Sequence, residues 1–248
     1  MNAAAAAFVL APALALGSFL NVVAARVPAR RSIIRPPSSC GSCSREILWR
    51  DNIPVLSYVL LRGHCRHCDA RISPGYPLVE AATAALIVAS VAVFGPTPEA
   101  ALASGFCAVL LTLSVIDARL RIVPDRIVLP AAASALVVHT LLDPSSEWLL
   151  SALAAGGVLF AVVLAFPEGL GMRDVKLALL LGAVLGAPVS VALMLGLLAA
   201  QVPSAVFVAR HGAAARKMGV PLVPFLSLGA LVTLFVGERL LDSYLALL

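Results

Sequence analysis

Two aspartates, Asp117 and Asp174, stand at the ends of apolar segments in a chain that otherwise keeps charge out of such segments. Asp117 is followed by ARLRIVPDR, and Asp174 lies within GLGMRDVKLALLLG. Ionisable groups at membrane depth are costly, so those that persist tend to be paired and functional. Two carboxylates brought together from separate helices can hold one proton between them, because like charges a few ångströms apart resist ionising together. That is the acid/base pair of aspartic proteolysis, and it makes Asp117 and Asp174 the candidate catalytic residues.

Each has a plainer reading. Asp174 opens a helical run and could simply cap it, although Gly169-Leu170-Gly171 before it lets a backbone come close. Asp117 ends a span, where the helix dipole disfavours a carboxylate, so its placement needs another reason. Asp125 follows Pro124 at the start of a helical run and reads as an N-cap, with catalysis as the alternative. Glu80 reads as an electrostatic cap on the second span, the alternative being a polar partner inside the bundle. Glu46, Asp51 and Asp69 fall among arginines and are expected to be solvated or paired with them. Glu99, Asp143, Glu147, Glu238 and Asp242 belong to the opposite face, and Glu168 to a solvated turn.

A second constellation is Cys40-x-x-Cys43 and Cys65-x-x-Cys68, with 21 residues between the knuckles. This is close to the spacing of a tetrahedral four-cysteine zinc site, in which each tight turn presents two thiolates to one ion. Disulfides are the alternative, but this segment is expected on the reducing side. His64 stands beside the second knuckle and His67 within it; either could replace a thiolate, but both are read as solvated loop residues. Cys107, inside an apolar helix, is read as a small buried hydrophobe. A loop of about fifty residues has little core of its own, so zinc would be structural there.

Helices must position these groups. The chain of 248 residues is 61% hydrophobic and 12% charged, with mean hydropathy +1.01. Soluble domains carry about 25% charged residues, and runs of about 17–25 apolar residues suffice to span a bilayer. The fold class is therefore all-α: a polytopic bundle of about eight transmembrane helices with a small zinc-ribbon-like loop on the cytoplasmic side. The expected helices are 3–25, 78–94, 99–117, 125–142, 147–166, 174–187, 189–209 and 222–246. The implied organisation is a first span (1–25), a four-cysteine loop (26–77) and a bundle bearing both aspartates (78–248). No basic residue precedes Arg26, so the first segment reads as a retained span with its N-terminus outside, not as a cleaved signal.

Charge sets the orientation. Alternating crossings put 17 of the 18 basic residues on one side, nine of them arginines in 26–77, with Arg216 and Lys217 among the rest and Arg239 the exception. Positive residues stay cytoplasmic, so both Asp117 and Asp174 face the cytoplasm. The net charge of +5 thus reports topology and calls for no nucleic-acid partner.

These blocks resemble the prepilin peptidase (type IV leader peptidase) family, whose aspartic site uses a Gly-x-Gly-Asp type motif. The likeness runs through GSFLNVVAARVP at 17–28, the paired knuckles, DNIPVLSY at 51–58, GYPLVE at 75–80, IDARLRIVPD at 116–125 and PFLSLGA at 224–230. It implies that Asp117 and Asp174 are the two catalytic aspartates of an enzyme in the bacterial inner membrane. Its substrates would be type IV prepilins and pilin-like secretion subunits, and S-adenosylmethionine-dependent methylation of the new N-terminus would be a second activity. One position departs from the pattern: Arg173 stands where the family usually has glycine. It sets a cation beside Asp174, where it could act on the pair or bind membrane lipid phosphate. Two other classes compete. An ion-coupled transporter would want carboxylates at mid-membrane and inverted repeats, and a catalytically silent scaffold would use the zinc loop for partner binding.

Overall fold

The computed structural model describes the backbone of residues 3–166, 170–211 and 221–245, and side chains between 8 and 237 except at 167–169, 207–208 and 211–220. Glu168, Arg216, Lys217 and the side chains of Glu238, Arg239 and Asp242 lie outside the described residues. Among the described residues the chain is all-helical, its only β pairing being two isolated bridges. It divides into two units, Met1–Thr112 and Leu113–Leu248.

The first unit holds α1 (Ala3–Arg26), a 3-10 turn at Trp49–Asp51, the short α2 (Leu56–Leu60), α3 (Gly75–Phe94) and most of α4 (Pro98–Leu120). Its frame is α1 packed along α3. Gly17 makes that approach possible: a Cβ there would lie 2.6 Å from the Glu80 Cα, a backbone atom that cannot yield. One turn further on, Asn21 Nδ2 donates to the Tyr76 carbonyl at 3.2 Å. The cysteine loop is strung between the end of α1 and the start of α3.

The second unit holds the end of α4, α5 (Asp125–Leu142), α6 (Glu147–Ala165), α7 (Met172–Leu185), α8 (Val189–His211) and α9 (Val223–Leu245). Its centre is α7, which packs on α5 and α6 and also touches α8 and α9. Ten of its fourteen residues are buried, and a helix apolar all round is one enclosed on every side. Gly186 ends it at φ 63°, a conformation that glycine adopts without strain. The freed Ala187 N–H donates to Glu147 Oε1 at 3.0 Å, which ties the turn to the start of α6.

The eight long helices are those expected, with ends within three residues of the expected ones. Among the described residues six are long and apolar enough to cross a membrane, and Val223–Gly237 is a shorter apolar stretch within α9. Their outward residues are greasy, Leu141, Leu164 and Phe166 among them. The exception in span length is α7. Its 14 residues reach only about 21 Å at about 1.5 Å each, against about 30 Å of hydrocarbon.

Candidate active site and metal centre

Asp117 lies in the last turn of α4 and Asp174 in the first turn of α7, both within the second unit. Both side chains are buried, at 0% and 1% exposure. Asp117 Oδ2 accepts the Val223 N–H at 3.2 Å, so the first residue of α9 holds one oxygen of a carboxylate from α4. Asp174 Oδ2 accepts the Gly171 N–H at 3.0 Å, while the Asp174 N–H donates to the Gly171 carbonyl at 2.9 Å. Asp174 therefore does cap its helix, as the plainer reading supposed, but with one oxygen only. The Oδ1 atoms of both aspartates are buried and make no hydrogen bond.

Arg173 joins the two. Its Nη1 lies 3.3 Å from Asp117 Oδ1, and its Nε lies 3.7 Å from Asp174 Oδ2. Nη1 also donates to the Arg121 carbonyl at 2.6 Å. Arg121 sits just past α4 at φ 56°, which turns the chain so that its carbonyl meets the guanidinium. The fork geometry of arginine suits it to several acceptors at once. One cation thus closes a small ring of three acceptors at the mouth of a buried carboxylate pair.

Asp125 corrects its sequence reading. It is the first residue of α5 and makes no capping hydrogen bond, the cap position being Pro124. Its half-exposed carboxylate instead accepts Lys176 Nζ at 2.6 Å, linking α5 to α7. Glu80 is likewise no helix-end cap. It lies in the second turn of α3, buried, and its Oε2 accepts the Val55 N–H at 2.7 Å. Its partner is thus polar, as the alternative had it, but belongs to the cysteine loop and not to the bundle. Val223, Gly171 and the Arg121 carbonyl were not legible as ligands, because backbone groups carry no side-chain signature.

In the first unit the four cysteines converge, with Cys40, Cys43, Cys65 and Cys68 Sγ all within 4.8 Å of one another. Cys40 and Cys68 Sγ are 3.8 Å apart, close to the edge of about 3.8 Å that a tetrahedron with Zn–S near 2.3 Å requires. The two knuckles are built alike. The Cys40 N–H donates to the Arg45 carbonyl and the Cys65 N–H to the Ala70 carbonyl, each at 2.9 Å. The returning bonds, Ser44 to Cys40 and Asp69 to Cys65, come from residues at φ 58° and 56°. Backbone N–H groups of Cys43 and Ser42, with the Cys65 thiol, lower the Cys40 thiol to about 6. Cys68 is pushed up to about 12: the Ala70 N–H opposes this, but burial and the neighbouring thiols prevail. Four thiols gathered this closely are a set that a divalent cation would deprotonate together.

His64 and His67 stand outside that cluster, against the Arg62 carbonyl at 2.8 Å and Arg45 Nη1 at 3.1 Å. Asp51 takes a forked pair of bonds from Arg66, at 2.6 Å from Nη2 and 2.9 Å from Nε, which binds the second knuckle to the 3-10 turn. Cys107 is buried at 1% exposure, with Ser90 Oγ 3.9 Å from its sulfur. A cavity of about 560 Å³ opens between α1, the cysteine loop and the start of α3, with Asn21, Arg26, Arg45, Asp51, Tyr76 and Glu80 in its walls.

Residues 12–94 match the bacterial peptidase A24 N-terminal domain, and residues 104–209 match the type IV leader peptidase family. A Burkholderia pseudomallei protein named prepilin leader peptidase/N-methyltransferase is 33% identical over 263 residues, covering 93% of this chain and 85% of its own. A Bacillus subtilis protein of that name is 34% identical over 245 residues and 94% of each chain. One from Klebsiella pneumoniae is 37% identical over 194 residues, covering 72% of this chain and 84% of its own. No solved structure matches the chain.

Proposed function

Since the chain belongs to the type IV leader peptidase family, we propose that it is a membrane aspartic endopeptidase that removes the short basic leader from type IV prepilins and pilin-like secretion subunits. The observation that carries this reading is the pair Asp117 and Asp174, buried at one guanidinium, with an Oδ1 of each making no hydrogen bond. Asp174 Oδ1 makes no contact of its own and Asp117 Oδ1 meets only the guanidinium, whereas the Oδ2 atoms are held by Val223 and Gly171.

In the proposed mechanism one carboxylate is ionised and takes a proton from a water set between the pair. The other is protonated, polarises the scissile carbonyl, and passes its proton to the departing amine. The two titrate as a unit, so neither role is fixed to one residue. The basic residues gathered at one end of the spans support a catalytic face in the cytoplasm, an outward N-terminus and a place in the bacterial inner membrane. The substrate's own apolar helix would lie in the bilayer, with its leader junction at the water edge. In this reading 78–248 is the protease bundle, and 26–77 is a loop folded on one structural zinc ion held by Cys40, Cys43, Cys65 and Cys68.

Methylation of the new N-terminal amine is the second proposed activity, after the names of the relatives. Its methyl donor would be S-adenosylmethionine, which when bound supplies an electrophilic methyl group. The cavity of the first unit fits such a donor in size, ligand sites running to about 300–1,000 Å³. Its walls also carry both signs of charge, with Arg26 and Arg45 against Asp51 and Glu80, as a zwitterionic ligand wants. Glu80, already fixed by the Val55 N–H, would keep a negative wall in place. Incubating the purified protein with a pilin-type precursor tests the main reading. An intact precursor after incubation with folded, metal-replete protein would leave the silent-scaffold reading standing.

A further inference from the structure

The cysteine loop has a surface turned the wrong way for water. In α2 the polar residue is inside: Ser57 is 6% exposed, while Leu56, Val59 and Leu60 are 50%, 64% and 69% exposed. These three fall at i, i+3 and i+4, which puts them on one face. Ser57 is locked inward, accepting the Ile53 N–H at 3.0 Å and donating to the Arg50 carbonyl at 3.0 Å. Those bonds draw the preceding 3-10 turn against α2, and that turn presents Trp49, 82% exposed. Arg50 and Arg62 flank the apolar residues and are exposed as well.

We infer that this face, Trp49 with Leu56, Val59 and Leu60 between Arg50 and Arg62, docks on the headgroup region of an anionic bilayer. Contiguous exposed apolar patches with a polar rim mark interaction surfaces. Three observations commit this one to lipid. The loop is tethered at both ends to helices long and apolar enough to span a membrane, α1 and α3, so it is held close to the bilayer surface. Segment 26–77 holds nine arginines against three acidic residues, Glu46, Asp51 and Asp69, a balance complementary to anionic headgroups. The outermost side chain is a tryptophan, the residue whose amphipathic ring settles at the membrane–water interface. Docked so, the metal knuckles would rest on the membrane as a rigid plate. The inference concerns the loop alone and stands whether or not the chain cleaves a precursor.

The chain has two tryptophans, Trp49 and Trp148, so Trp148→Phe leaves Trp49 as the sole reporter. The full-length variant is reconstituted into phosphatidylcholine vesicles with and without phosphatidylglycerol, using lipids brominated at a shallow acyl position. The expected result is blue-shifted Trp49 emission that brominated lipid quenches and aqueous iodide does not. Quenching should be stronger with phosphatidylglycerol at low salt, and weaker in Leu60→Ser and in the Arg50→Gln, Arg62→Gln double variant. Quenching by iodide alone would mean a face open to water, and protection from both quenchers a face covered by protein; either overturns the inference. If Trp148→Phe does not reconstitute, the difference between wild type and Trp49→Phe isolates the same signal.

Discussion

Arg173 Nη1 lies 3.3 Å from the buried Oδ1 of Asp117 while its Nε lies 3.7 Å from Asp174 Oδ2, so the residue that departs from the family pattern touches both members of the candidate dyad. A guanidinium in that position offers one counter-charge to both carboxylates. The arrangement also anchors the start of α7 to the Arg121 carbonyl beyond α4. Arg173 thus acts on geometry and on charge at once, and the two effects can be separated.

Arg173→Gln keeps the aliphatic stem and a shorter amide donor but removes the charge, and Arg173→Gly removes the whole side chain. Both variants should still cleave. If the charge matters, the pH–rate profile of each should shift relative to wild type, because the counter-charge beside both carboxylates is gone. Normalised profiles that superimpose would leave Arg173 as a topological anchor only.

Asp117→Asn and Asp174→Asn should each lower leader cleavage by at least about a hundredfold, the lower end of what general acid–base catalysis supplies. Both proteins should remain inserted, since asparagine can still accept the Val223 or Gly171 N–H. Asp125→Asn should retain most activity: its bond to Lys176 is half exposed, and such pairs contribute little. Gel-based cleavage of a pilin-type precursor measures all three.

The contact between Gly17 and Glu80 predicts a packing defect. In Gly17→Val the new side chain meets the α3 backbone at 2.6 Å, so α1 and α3 must part. Overpacking of this kind costs about 1–3 kcal/mol, to be seen as a lower Tm in detergent. Unchanged melting would show that the helices do not approach so closely.

Metal analysis of the purified protein should find one zinc per chain, and Cys40→Ser or Cys68→Ser should lose it. A wild-type stoichiometry near zero with four intact thiols would contradict the tetrahedral site. Cleavage in these variants should fall through loosening of the loop, which faster limited proteolysis between 26 and 77 would report.

The bond between Arg66 and Asp51 gives a pH dependence with a definite sign. Arg66 holds the Asp51 carboxyl below its ordinary range, chiefly through their hydrogen bonds. A carboxyl lowered on folding stabilises the loop fully above the unfolded pKa, and the contribution is lost as pH falls through the folded one. Asp51→Asn should therefore speed loop proteolysis at neutral pH and make less difference as the medium turns strongly acidic. Equal differences at both pH values would count against the pair.

Most of the fold could be read in advance because a bilayer imposes one rule over long stretches: apolar length marks helices, and basic residues mark their ends. Glycine and proline supplied the remaining boundaries, as Gly186 does between α7 and α8. The knuckles were legible because CxxC spacing is local. What stayed hidden depended on meetings between distant segments. Asp125 looked like a cap from its neighbours, but the partner that defines it, Lys176, is 51 residues away. Asp117 and the Val223 amide are 106 residues apart. The position of Arg173 in sequence revealed its unusual identity, though only folding gives it two carboxylates to touch.

The depth at which α7 is enclosed bears on the order of synthesis. Too short to cross hydrocarbon unaided and clothed by α5, α6, α8 and α9, it has no stable place in the bilayer until those neighbours surround it. The Val223 amide that holds Asp117 arrives later still, at the start of α9. On the proposed reading, a ribosome that has delivered both aspartates would not yet have delivered a complete site. If those residues are the site, the half-made chain would sit among other membrane proteins without cutting them until α9 arrives.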